Sequence, residues 1–210
     1  MVSATHWGDV QTKLLTNVHT VILGVLSWLL PVITLVGIIF AVSLCFSGLA
    51  PLWATKAATL TLLSACVTLI LLINAAYQQG DDERPVHVVL KLTVRLTSIL
   101  LLIFAILAAV SLYLRIKQYG FTTERVLALI GVIISVLFGI GYNIVALPSK
   151  QWMPGIGKIN IGLAIFNVLL LLAILTPIAD PTRLSVISQV KRLQNGVVTI
   201  EKFDWSFLRY

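Results

Sequence analysis

The chain has 210 residues, of which 59% are hydrophobic and 11% charged. A soluble domain carries about a quarter charged residues to cover its surface, so this composition excludes an ordinary water-soluble fold and points to a bilayer-embedded one; the mean hydropathy of +1.01 agrees. The net charge of +7, from 15 Lys and Arg against 8 Asp and Glu, sits in short loops and the tail, where it sets topology and meets anionic head groups; the arginine–aromatic interleaving of an RNA-binding surface is absent, so nucleic acid is not an expected partner.

The expected architecture is all-α. A polytopic transmembrane helix bundle of about five spans occupies residues 1–178, and residues 179–210 hold an amphipathic helix and the start of a small polar C-terminal region. Trp7, Val10, Leu14 and Val18 recur at helical spacing, which predicts a short amphipathic helix leading into the membrane. No basic stretch precedes the first apolar run, and that run is too long for the core of a secretory signal. The first span covers 18–46 and contains Pro31, where a kink is expected because proline removes a backbone hydrogen bond. Trp53 beside Lys56 reads as an interfacial anchor. The second span covers 57–77. Cys45 and Cys66 both fall in apolar runs and read as small hydrophobes, with no metal-type spacing.

Asp81, Asp82 and Glu83 precede Pro85, the pattern of a helix start: carboxylates favour the positive end of the helix dipole and proline fits the first turn. A metal centre there lacks a His or further carboxylate to complete its shell, so neither metal nor cofactor is expected. Arg84, His87, Lys91 and Arg95 then lie on one helical face, a candidate stripe for anionic lipid, either by snorkelling onto phosphates or as a specific pocket. The third span covers 96–114 and is closed by Arg115 and Lys117. In the following loop Gly120 suits a left-handed helix end, and Thr122 or Thr123 caps the next helix with Glu124 in its first turn. The fourth and fifth spans cover 126–147 and 159–178. Asp180-Pro181 starts a helix that ends at Asn195-Gly196, with Val186, Ile187, Val190 and Leu193 on one face and Ser185, Ser188 and Arg192 on another. Residues 197–200 have the composition of a short strand.

Apart from His19 at the edge of the first span, none of the five apolar runs contains Asp, Glu, Lys, Arg or His. Ion-coupled transporters usually place an ionisable group at bilayer depth, so this lowers a coupled-transport reading. Gly131, Ser135, Gly139 and Asn143 form a small-residue stripe suited to close helix packing, and Asn160, Ala164 and Asn167 form a similar face on the fifth span; the two are expected to pack together. Catalytic signatures are missing: there is no G-x-S-x-G, Walker or H-E-x-x-H pattern, and His6, His19 and His87 have no paired nucleophile. Six Lys and Arg fall on the N-terminal side of the bilayer and nine on the other, which leans toward a cytoplasmic tail.

Two segments resemble a known family. Arg115-Ile116, Tyr119-Gly120, Thr122 and Arg125 fit an R-I-x-x-Y-G-x-T-x-x-R loop. Ser185, Ser188-Gln189 and Arg192-Leu193 fit an S-x-x-S-Q-x-x-R-L segment, and Phe203-Asp204 with Leu208-Arg209 fit an F-D-x-x-x-L-R region. Together, from about Trp28 onward, they resemble the bacterial membrane proteins grouped as domain of unknown function 4153. The resemblance implies a multi-pass bacterial inner-membrane protein, members longer at both ends, and no known reaction. The leading expectation is a non-enzymatic scaffold or interaction module of the envelope, with membrane lipids, other membrane subunits or upstream spans as partners. Its candidate polar site is Arg115, Tyr119, Thr122, Arg125, Ser188, Gln189 and Arg192, on one side of the membrane, either a polar site or a docking contact. The alternative is a transporter or permease subunit with a cavity lined by Thr68, Asn143, Asn160 and Asn167. A weaker one is a membrane-embedded enzyme acting on lipid-linked substrates, with Asp81 to Glu83 or Asp180 as its acids.

Overall fold

A computed structural model describes residues 2–55, 57–77, 88–146, 155–176 and 180–196; over residues 2–17, 19 and 20 it describes the backbone. Among the described residues there are seven helices: α1 (Val2–Ser47), α2 (Ala50–Ala54), α3 (Ala58–Tyr77), α4 (Val88–Tyr119), α5 (Thr123–Ala146), α6 (Ile156–Ile174) and α7 (Pro181–Gln194). Five of them are long and apolar enough to cross a membrane. Arg84, His87, the acidic run at 81–83, the Trp152 loop and the segment 197–210, with its expected strand, lie outside the described residues.

The expected amphipathic lead-in and first span form one continuous helix. α1 runs 46 residues and passes through Pro31 without a break. Two hydroxyls flank the proline and tie this stretch to its neighbours. The Ser27 hydroxyl lies 2.7 Å from the Leu23 carbonyl and 3.0 Å from that of Ala75 on α3. Thr34 meets Thr97 of α4 at 2.6 Å. Gly48, at φ +71°, ends α1 in the left-handed conformation that carries no Cβ penalty in glycine. α6 stops at Ile174, short of the expected 178. Thr176 precedes Pro177, and a residue before proline is disfavoured from helical geometry.

α4 is the central helix, packed against α1, α3 and α5, while α6 rests on α5. Leu62, Cys66, Leu69 and Ile73 of α3 meet Val94, Leu101, Phe104, Ala105 and Ala108 of α4 in one buried core. Within the apolar windows of the spans, 44% of residues are buried in α3 and 39% in α4, against 11% in α1 and 6% in α6. Val25, Trp28, Val32 and Leu35 of α1, and Ile161, Ile165, Leu169 and Leu172 of α6, are exposed. In water such a surface would drive association; in hydrocarbon it is the ordinary outer face of a bundle. The helices alternate in direction. The start of α3, the end of α4, the start of α5 and α7 share one end of the bundle; the end of α3, the end of α5 and the start of α6 share the other.

Candidate functional site

The last carbonyls of a helix have no partner within it, so the end of α4 leaves acceptors to be satisfied. Gly120, at φ +76°, turns the chain and donates its own N–H to Ile116 O at 2.8 Å. Thr122 is the cap of α5: its carbonyl accepts from Val126 N at 3.0 Å and its hydroxyl from Arg125 N at 3.4 Å. Thr123, the other capping candidate, keeps a buried hydroxyl with no hydrogen-bond partner.

α7 supplies donors to the remaining acceptors. Its start is fixed by Asp180, whose carboxylate accepts from Thr182 N at 2.9 Å, with Pro181 in the first turn. Arg192 Nη2 donates to Gln118 O at 2.9 Å. Gln189 Nε2 donates to Tyr119 O at 3.1 Å and to Phe121 O at 2.9 Å. Ser185 donates to Phe121 O at 3.4 Å, and Phe121 N donates to Ser188 Oγ at 3.1 Å. Arg125 Nη1 donates to Gly120 O at 2.9 Å, and its guanidinium stands 5.4 Å from the centre of the Tyr119 ring. The carbonyls of Gln118, Tyr119, Gly120 and Phe121 therefore each receive a side-chain donor, and two of those donors are cations at the negative end of the α4 dipole. A Cβ at Gly120 would come within 2.7 Å of Arg192 Cδ and 3.2 Å of Gln189 Nε2.

This contact reverses the usual use of an amphipathic helix. α7 buries Pro181, Ser185 and Gln189 and exposes Leu184, Ile187 and Val190. The polar face is the one that fits, because its target is a row of backbone carbonyls and not an apolar surface. Tyr119, Thr122, Arg125, Ser188, Gln189 and Arg192 thus come together in one latch. Arg115 does not join it. It sits one turn earlier on α4, between two open grooves.

The other candidate residues are dispersed. Arg95 Nε donates to Ala146 O, the last residue of α5, at 3.1 Å, and Lys91 is half-buried on the same helix. The small-residue stripe of α5 faces α3 and α4, contrary to the expected pairing with α6. Gly131 faces Leu63, Ser135 contacts the Cys66 thiol, Gly139 lies against the Leu102 backbone, and Asn143 Nδ2 donates to Ser98 O at 2.7 Å. Ala164 is exposed. The physical reason is that α4 is the helix that approaches α5 most closely, and only glycine admits its backbone there.

At the opposite end of the bundle three side chains close a ring. Asn74 Nδ2 donates to the Tyr142 hydroxyl at 2.9 Å, Tyr142 donates to Asn160 Oδ1 at 2.8 Å, and Asn160 Nδ2 donates back to Asn74 Oδ1. The ring joins α3, α5 and α6, and Tyr142 is fully buried. Asn160 is among the candidates read from the sequence; Asn74 and Tyr142 are not. A signal for them exists: each of the three lies within about a turn of a helix end at this side of the bundle, so they share a depth. Thr68, by contrast, is exposed and bonds within its own helix, and Asn167 Oδ1 is buried with no partner. Among the described residues no three His, Cys, Asp or Glu side chains gather as metal ligands.

Five apolar spans, a backbone-capping latch and a buried polar ring define a multi-pass α-helical membrane protein. Within that class the chain belongs to the family described as domain of unknown function (DUF4153), whose model matches residues 5–209, nearly the whole chain. No curated protein and no solved structure matches it.

Proposed function

We propose that the protein is a membrane scaffold, in which the bundle holds α7 at a fixed place on one face of the bilayer. The observation that carries this reading is the latch: four consecutive backbone carbonyls at the α4–α5 turn are taken by side chains, three of them by α7. Four of the five bonds between α7 and the turn are part-buried and the Arg192 bond lies at the surface; together they hold the tail helix in one pose, since part-buried carbonyls lose matched donors when it leaves. The excess of Lys and Arg on that side supports a cytoplasmic latch, and the family supports a bacterial inner membrane. The four polar residues of the transport reading are dispersed: Asn160 is in the ring, Asn143 bonds to α4, Thr68 is exposed and Asn167 sits apart on α6.

The reading is tested by releasing the latch. Gly120→Val and Gln189→Leu are expected to loosen the α7 backbone and so speed tryptic cleavage at the already exposed Arg183 and Lys191 in sealed vesicles, while leaving the five spans assembled. In native membranes, cross-linking of the wild-type chain should yield species with other membrane subunits that both variants lose. An unchanged cross-linking profile with the latch demonstrably open rules out a scaffolding role.

A further inference from the structure

Arg115 makes no hydrogen bond or ion pair among the described residues. It follows the apolar part of α4 directly, at the depth where head groups meet hydrocarbon. On one side of it lies a groove of about 640 Å³ between α3 and α5, lined by Leu60, Leu63, Leu127, Ala128, Arg115 and Arg125 among others. On the other side lies a groove of about 690 Å³ against α2, lined by Trp53, Ser111, Gln118 and Tyr119 among others. The Thr59–Ser111 hydrogen bond, at 3.0 Å, joins an α3 residue of the first groove to an α4 residue of the second, and Arg115 stands one turn beyond Ser111.

The first groove is divided by polarity. Its aliphatic lining, Leu60, Leu63, Leu127 and Ala128, comes from the spans α3 and α5, and Leu60 and Leu127 are exposed, so the groove faces outward from the bundle toward the bilayer. Its mouth carries Arg115 and Arg125 against one carboxylate, Glu124. Arg125 is committed to Gly120 O and to the Tyr119 ring, which leaves Arg115 as the cation with donors to offer. A free inorganic anion would use the mouth and leave the aliphatic part wet. A phospholipid uses both.

We propose that the α3–α5 groove is a binding site for one anionic phospholipid, its phosphate on the Arg115 guanidinium and an acyl chain along Leu60, Leu63, Leu127 and Ala128. Planar guanidinium donors match phosphate oxygens in pairs, and the surrounding field is net positive. The site is separate from the latch, and its occupancy does not depend on scaffolding.

The test is native mass spectrometry of the intact chain released from micelles doped with phosphatidylglycerol or phosphatidylcholine. Wild type should retain one phosphatidylglycerol per chain and no phosphatidylcholine. Arg115→Gln should weaken retention by about tenfold, the scale of one charge-assisted pair, while Lys117→Gln, an exposed charge two residues on, should leave it unchanged. Ala128→Phe, which fills the aliphatic part without altering charge, should also abolish retention; Leu60→Trp serves if Ala128→Phe does not fold. Equal losses from Arg115→Gln and Lys117→Gln, or full retention in both groove-filling variants, overturn the proposal in favour of unspecific charge attraction. Displacement of the lipid by millimolar inorganic phosphate alone also overturns it, because the acyl chain would then contribute nothing.

Discussion

At one end of the bundle, Asn74, Tyr142 and Asn160 bond to one another; at the other, α7 bonds to the backbone of a turn. The two knots solve different problems. α6 has only 6% of its apolar window buried, and in a bilayer an apolar helix gains little by leaving lipid for protein. A closed ring of side chains gives it a reason to stay, since opening the ring leaves polar atoms in hydrocarbon. α7 has a soluble composition and lies beyond the spans. Its donors meet acceptors that exist because a helix has ended there. Side-chain rings therefore hold elements within the membrane, while side-chain-to-backbone latches hold elements at its edge.

Both knots rest on close packing of α5 against α4, and the largest effect should come from breaking that. A Cβ at Gly139 would sit 3.1 Å from the Leu102 Cα, a backbone atom that cannot turn aside. Gly139→Leu is expected to cost about 3 kcal/mol, the upper part of the range for overpacking. Gly131 faces only the Leu63 side chain, at 3.3 Å, which can shift, so Gly131→Leu should cost about 1 kcal/mol. Thermal unfolding in detergent reads both. Equal losses would mean that the stripe acts as a unit and that the approach at Gly139 has no special weight.

Gly120→Val attacks the latch. The left-handed backbone at φ +76° is strained for any side chain and most for a β-branched one. The expected cost is about 2 kcal/mol, and it should appear locally, as faster amide exchange in α7 with the spans unaffected. Global unfolding at the same free energy would show that the latch is part of the cooperative core and not an edge device.

How much of this was readable beforehand follows the same division. The spans show in the sequence because hydrocarbon demands long apolar runs, and Gly120 and Thr122 show because helix ends have fixed chemistry. The packing partner of the α5 stripe does not show. In water, an apolar face points inward and names its partner; in lipid both faces are apolar, so Gly131 and Gly139 announce a close contact without saying with which helix. The docking of α7 shows only through the family segments, which already set Ser188, Gln189 and Arg192 beside the loop; the helix's own apolar pattern points the other way. Its apolar residues suggest burial, yet Ile187 is exposed and Gln189 is buried, because the surface that receives them is made of carbonyls, which no side-chain pattern displays. The ring was half visible: Asn160 stands out as polar, but only depth relates it to Asn74 and Tyr142.

Tyr142→Phe tests the ring. Removing the hydroxyl leaves a donor of Asn74 and an acceptor of Asn160 unmatched in a buried site, for a cost of about 1 kcal/mol. Exchange at the start of α6 should rise while α7 stays protected. Loosening of α7 instead would mean that the two ends are coupled through α5, and the division between them would fail.

The smallest effect marks the lower limit of polar contacts in this bundle. Thr34 and Thr97 meet at 2.6 Å, and each also lies 2.7 Å from a carbonyl of its own helix, Leu30 O and Thr93 O. Two hydroxyl protons thus serve three contacts. In Thr34→Val one proton and one acceptor are lost, but Thr97 still donates to Thr93 O, and the Leu30 carbonyl belongs to a helical backbone. No donor is stranded, unlike at Tyr142. The expected cost is about 0.6 kcal/mol, the mean for such contacts in membranes, read as a shift in detergent stability below that of Tyr142→Phe. A larger shift for Thr34→Val would mean that a bond between neighbouring hydroxyls outweighs a closed ring, and α1, despite its sparse burial, would then be held as firmly as α6.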